Sequence, residues 1–264
     1  MSTRGLLRHL RKQTANLKYI AISFLCLIAV WELAVRLSGV NEALFPSPAS
    51  AWNALLEICA DGTLVNHIYT SMLRFFAGFI VATVLAVVTG VIFGWFDILF
   101  KLVNPVVQLL RPISPIAWMP FIVLMFGIGD MPAIVTIFIA AFFPVFLSTV
   151  SGVKNIPEIY LKVARNFAVG KVEIFWKIIF PASFPQITSG IHLALGSAWV
   201  FLVCGEMIGA QSGLGYLIID ARNNLRSDIL VADIVIIGLI GLLLDTALKY
   251  SETLLLKRWG LVKE

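Results

Sequence analysis

The sequence predicts an all-α integral membrane protein with about six transmembrane helices. Of its 264 residues, 59% are hydrophobic and only 13% are charged. An average soluble domain carries roughly 25% charged residues, so this chain has too few to cover a water-exposed surface. Mean hydropathy is +0.94. Six apolar stretches, at about 19–37, 68–94, 102–126, 132–153, 187–207 and 229–248, each approach the roughly 20 residues a helix needs to cross a hydrocarbon core about 30 Å thick. Six such spans use about 120 residues and leave no room for a large soluble domain. Nothing is low in complexity or dense in cysteine, which excludes a disordered chain and a disulfide scaffold. Cys26, Cys59 and Cys204 are odd in number and lack metal-site spacing, so no metal site is expected.

The first stretch follows Arg4, Arg8, Arg11, Lys12 and Lys18, the pattern that opens a secretory signal. Its apolar run continues past Trp31 with no Ala-x-Ala site behind it, so it reads as a retained helix after a tail at 1–18. Glu32 and Arg36 stand four apart and pair on one face. Phe45-Pro46-Ser47-Pro48 then breaks the chain. Ser50 is positioned to cap a short helix with Ala51, Ala54, Leu55 and Ile58 on one side, which suits either a helix in the membrane interface or a packed loop.

In the second stretch Gly78, Ala82, Ala86, Gly90 and Gly94 place a small residue at every fourth position. Such a stripe lets another helix approach closely where no hydrophobic effect drives association, and the partner is a helix of this chain or of a second subunit. The third stretch holds Pro105, Pro112, Pro115 and Pro120. Each removes a backbone donor, so Arg111-Pro112-Ile113-Ser114-Pro115 is expected to break the helix. A break of this kind either lines a substrate path or is a packed kink with Arg111 paired to a carboxylate. In the fourth stretch Phe138, Phe142, Phe143 and Phe146 read as bundle packing, with Pro144 a kink. In the last, Asp233 and Asp245 lie near enough to the ends to reach water or a cation, and Asp245 and Lys249 form an i, i+4 pair.

Fifteen of the twenty Lys and Arg fall on one side if the N-terminus is cytoplasmic. They are the five above, Lys101, Lys154, Lys162, Arg165, Lys171, Lys177, Lys249, Lys257, Arg258 and Lys263. Both termini are therefore expected inside. This asymmetry accounts for the net charge of +5 and leaves no support for nucleic acid as a partner.

The longest inside connection, about 154–186, carries Asn155-Ile156-Pro157-Glu158 and onward to Gly170. Pro157 suits a helix start, Tyr160, Leu161, Ala164 and Phe167 recur on one face, and Gly170 is a natural stop. A second helical piece at 172–179 is expected to end at Phe180-Pro181. An amphipathic helix here implies a protein partner or a membrane surface.

This loop resembles that of bacterial ABC importer permeases, which carry Glu-Ala-Ala, three residues, Gly, nine residues, Ile, one residue, Leu-Pro. These positions fall on Lys162, Val163, Ala164, Ala168, Ile178, Phe180 and Pro181 without a gap, three of seven identical. Other stretches resemble the nitrate, sulfonate, taurine and bicarbonate branch. They are Leu44-Phe45-Pro46-Ser47-Pro48, Ser71-x-x-Arg74 with Gly78-Phe79, the run from Arg111 to Pro120, Phe126-Gly127-Ile128-Gly129, Glu206-Met207-Ile208 and Gly213-Leu214-Gly215.

The resemblance implies a type I importer fold, with 19–264 as one permease domain. It implies partners too: a second permease copy in a homodimer, two cytoplasmic ATPases that bind ATP and Mg, an extracytoplasmic solute-binding protein, and the lipid of the inner membrane. The chain itself needs no cofactor and no catalytic residue. It has no Gly-x-x-x-x-Gly-Lys-Ser/Thr, since its single Gly-Lys is followed by Val172. Lys162, Val163, Ala164, Arg165, Asn166, Phe167, Ala168, Gly170 and Pro181 are the expected ATPase-coupling residues, with Ala164, Arg165 and Phe167 at their centre. Lys162 stands where the family has Glu and is free to pair with Glu158; Ala168 replaces Gly. Arg111, Ser114, Trp118, Ser197 and Glu206 are candidates for the path, and Arg111 and Arg74 suit a small anion or a structural pair.

An ion-coupled secondary transporter would call for mid-bilayer carboxylates and internal repeats, neither of which is evident. A haem protein would need in-membrane ligand pairs that His9, His67 and His192 do not form.

Overall fold

A computed structural model describes residues 3–42, 44–167 and 169–258. Eleven α-helices follow in order: α1 (Thr3–Ser38), α2 (Pro48–Ala60), α3 (Thr63–Trp95), α4 (Asp97–Leu110), α5 (Met119–Phe126), α6 (Asp130–Lys154), α7 (Glu158–Asn166), α8 (Lys171–Ile174), α9 (Phe180–Gly209), α10 (Leu214–Asn223) and α11 (Ser227–Arg258). There is no strand among the described residues.

Among the described residues, four segments are individually long and apolar enough to cross a membrane: Thr63–Trp95, Asp130–Lys154, Phe175–Gly209 and Ser227–Leu254. A fifth exists if α4 and the pieces from Pro115 to Phe126 count as one span bent by 84°. The first predicted stretch lies within α1, which begins at Thr3. The expected break falls at 111–114, followed by a 3₁₀ turn at Pro115–Trp118.

Two local readings are corrected. Ser47, not Ser50, caps α2: its Oγ accepts the Ser50 N–H at 3.2 Å, because Pro48 occupies the first helical position. The predicted face of α2 holds, with Ala51, Ala54 and Ile58 buried. At the other end of the bundle, Phe180-Pro181 does not stop a helix. A π-helical turn at Phe175–Ile179 feeds directly into α9, with the Phe180 N–H bonded to Phe175 O, so Pro181, which has no N–H to give, is carried just past the widened turn. The second half of the predicted inside loop is therefore the start of a span.

α6 is the centre of the bundle, packed between α3 and α9. The small-residue stripe of α3 meets α6 of the same chain. A Cβ built on Gly78 would stand 2.9 Å from Ile137 Cβ, on Gly90 2.7 Å from Thr149 Cβ, and on Gly94 2.8 Å from Val153 Cβ. Ala82 and Ala86 are fully buried between them. A second seam, missed in the sequence, joins α9 to α6: Gly205 lies over Ala133, Gly209 over Pro132 and Gly190 over Ser148. Its repeats are irregular, so no single period announces it.

Overpacking either seam forces the helices apart. Gly90→Leu is expected to destabilise the protein by about 2 kcal/mol, read as a lowered unfolding midpoint in mild detergent. An unchanged midpoint would show that the seam is looser than its geometry.

Polar clasps fix the ends. At one end Lys154 Nζ lies 2.7 Å from Asp97 Oδ1 and 4.2 Å from the centre of the Phe100 ring. At the other, Arg226 forks onto Glu57 of α2, with Nη2 2.7 Å from Oε2, and also bonds Asp228. The Glu57 and Asp228 carboxylates raise the pKa of this guanidinium further, so it is held charged.

Candidate translocation site

The end of the bundle away from α7 is closed by a charged knot. Arg74 on α3 is only 3% exposed. Its Nε donates to Asp130 Oδ1 at 2.8 Å and Nη2 lies 2.6 Å from the same oxygen. Nη1 donates to Glu206 Oε1 at 2.9 Å and to the Ser212 carbonyl at 2.6 Å, and Nη2 donates to Ser212 Oγ at 2.8 Å. Every nitrogen of the guanidinium is engaged. Glu206 on α9 is fully buried and also accepts from Ser71 Oγ at 2.8 Å and the Gly215 N–H at 3.0 Å.

The same knot seats the start of α10. The N–H groups of Gly213, Leu214 and Gly215 go to His67 Nδ1, Ser71 Oγ and Glu206 Oε2, which satisfies donors a helix leaves open at its N-terminus. Gly213 has φ +104°, and a Cβ there would overlap the Glu206 carboxylate. A residue with a side chain fits neither the backbone nor the space.

Closer to α7 lies a cavity of about 490 Å³ between α4, α6 and α9. Its wall runs along α6 from Ile139 to Ser151, along α9 from Gln186 to Phe201, and across Arg111, Ile113 and Pro115 at the break after α4. Pro144 cannot donate to the Ala140 carbonyl, and Ser197 Oγ across the cavity approaches that oxygen at 3.4 Å while bonding Ala194 O at 3.0 Å.

Below the cavity stands α7, with its inner side on the bundle and its outer side bare. Ala164 is 3% exposed, whereas Phe167 is 79%, Ile159 60%, Tyr160 54% and Val163 45% exposed. Lys162 pairs with Glu158 at 2.9 Å.

The family model described as the binding-protein-dependent transport system inner membrane component matches residues 62–257. The chain belongs to this family. The permease is 36% identical to an ABC transporter permease protein of Methanocaldococcus jannaschii, covering 85% of this chain and 86% of that one. It is 32% identical to the nitrate import permease protein of Leptolyngbya laminosa (85% and 82%) and 29% identical to the taurine transport system permease protein of Escherichia coli strain K12 (90% and 87%). In fold it is similar to a subunit of the MetNI methionine ABC transporter in an inward-facing conformation. The TM-score is 0.56 at 19% identity, covering 70% of this chain and 96% of that one. The permease is thus a multi-pass membrane component of an ABC importer with the type I fold.

The structure separates the candidate residues. Arg111 and Ser197 line the cavity; Ser114 and Trp118 sit beside its wall at the break without lining it. Glu206 is removed from the path and Arg74 from the solute candidates, because each spends its charge on the other inside the knot. On the coupling loop, Ala164 faces inward and is not part of the bare surface; the side chain of Arg165 and the whole of Ala168 lie outside the described residues. Gly170 does not end α7, which stops at Asn166; its carbonyl accepts the Ile174 N–H at 2.9 Å and opens α8. Pro181 is half-buried in α9. Asp233, expected to reach water, is instead fully buried, and neither of its carboxylate oxygens has a hydrogen-bond partner among the described residues. The predicted Asp245–Lys249 pair is present at 2.6 Å.

Proposed function

We propose that the permease passes a small anionic solute of the nitrate, sulfonate, taurine or bicarbonate kind through the cavity between α4, α6 and α9, driven by a separate cytoplasmic ATPase that binds ATP and Mg. The observation that carries this reading is the bare apolar stripe of α7. Ile159, Tyr160, Val163 and Phe167 share one side of a helix standing off the bundle, and a cluster of exposed large apolar residues on a polar face marks a protein contact. The inward side of the same helix, through Leu161, packs against Val91, Val153 and Ile179 of the chain's own spans, so a push on α7 reaches them. The nitrate and taurine names of the relatives support the solute class. The bias of Lys and Arg supports cytoplasmic termini. A homodimer of permeases with an extracytoplasmic binding protein completes the assembly.

Val163→Asp with Phe167→Asp is expected to abolish co-purification of the ATPase and ATP-driven anion uptake, while the permease still inserts in the membrane. Undiminished ATPase binding by this variant would overturn the coupling assignment.

A further inference from the structure

The cavity carries more than a route. Fourteen described residues line it; among them Arg111 is the single charged one, and there is no Asp or Glu. Arg111 makes no ion pair among the described residues. It stands at the C-terminal end of α4, its N–H bonded to Val107 O at 2.9 Å. The carbonyl end of that helix steadies a cation without cancelling it. Arg111 is exposed rather than enclosed by neighbouring side chains, so its charge is open to whatever enters the cavity.

The facing walls supply donors and no carboxylates. Ser148 Oγ and the Gln186 amide line the cavity without a hydrogen bond among the described residues. Ser151 Oγ accepts from Asn155 Nδ2 at 3.1 Å, which leaves its own proton to donate. Ser197 differs, because its proton is already given to carbonyls of its own helix. Two glycines position the free donors: a Cβ on Gly190 would stand 2.5 Å from Ser148 Cβ, and one on Gly152 2.9 Å from Gln186 Cβ. α6 and α9 therefore approach closest where each presents a polar group to the cavity. The remaining wall is apolar, with Ile139, Phe143, Leu147, Leu193 and Phe201. A purely inorganic ion has no use for that surface.

We propose that this cavity is a binding station for small organic oxyanions, with Arg111 holding the charged head, Ser148, Ser151 and Gln186 donating to its oxygens, and the phenylalanine and leucine wall holding a short apolar tail. About 490 Å³ lies within the range of small-molecule sites, roughly 300–1,000 Å³. The station makes the permease itself selective, downstream of the binding protein. It rests on the transport reading but is tested without it.

The test measures equilibrium binding of radiolabelled 1-propanesulfonate to the purified permease complex in phosphatidylcholine nanodiscs, with inorganic sulfate as competitor. Expected are saturable binding, competition by sulfate only at higher concentration, a loss of at least about tenfold in affinity for Arg111→Gln, and partial recovery for Arg111→Lys. Phe143→Ser is expected to weaken propanesulfonate while leaving sulfate competition unchanged, which a folding defect would not do. Binding indifferent to Arg111→Gln, or no binding at all, overturns the station. Repeating the titration with phosphatidylglycerol in the disc distinguishes the source of the anion: wild-type binding abolished by this lipid assigns the cavity to a lipid headgroup and overturns the proposal. Intact binding beside absent ATP-driven uptake would leave the station standing and defeat the transport reading alone.

Discussion

Arg74→Met is expected to destabilise the permease by about 3–5 kcal/mol, the effect of stripping one partner from a buried ion pair. The reason lies in what stays behind. Glu206 is fully enclosed, and without the guanidinium its carboxylate keeps only the Ser71 hydroxyl and the Gly215 N–H. Asp130, whose side chain is 67% exposed, can turn to water and adds little to the loss. The Ser212 carbonyl also loses its donor, so the loop that seats α10 loosens. Arg74→Lys recovers the charge but not the fork, because an ammonium cannot reach Asp130, Glu206 and Ser212 in one plane. Combining Arg74→Met with Glu206→Met removes both charges together and is expected to restore much of the stability. Unfolding midpoints of the detergent-purified protein measure all three. A single Arg74→Met variant within 1 kcal/mol of wild type would show that the knot is not closed.

Asp233→Val runs the other way and is expected to stabilise. Asp233 sits on α11 with no exposed surface and no hydrogen bond to either carboxylate oxygen among the described residues. An unsatisfied buried polar group costs roughly 1–3 kcal/mol, and more if charged. A branched apolar side chain of similar size removes that cost and packs against the same neighbours. The unfolding midpoint should therefore rise for Asp233→Val and change less for Asp233→Asn, which is still polar. A fall in the Asp233→Val midpoint would mean that the carboxylate has a partner in the assembled importer, and would make Asp233 a contact site in its own right.

These two carboxylates show where sequence reasoning stops. Glu206 was legible as part of Glu206-Met207-Ile208 and suggested the path. Its bonding partner Arg74 is 132 residues away, and nothing in local spacing reveals that the two meet. Asp233 was placed by its distance from a span end, which measures depth along one helix but not whether neighbours cover it. Gly78 to Gly94 was legible because the signal is local and periodic, yet its partner, α6, was not. Ala164 shows the same limit on a smaller scale: the period placed it on the apolar face of α7, but which part of that face meets the bundle depends on where the helix docks.

The sequence by itself determined the membrane environment, the all-helical fold class, the break at Arg111 to Pro115, the amphipathic helix at α7 and the family. Each follows from composition or from residues within a few turns of one another, which hydropathy and helical period report directly. Only the tertiary structure decided which charges neutralise each other and which remain available. Arg74 and Arg111 look alike in the chain, an arginine beside a span. One is consumed in a knot at the closed end of the bundle, and the other faces a cavity with no carboxylate among the described residues of its wall. That difference arises from helix packing across more than a hundred residues, and it assigns Arg74 to stability and leaves Arg111 free to bind.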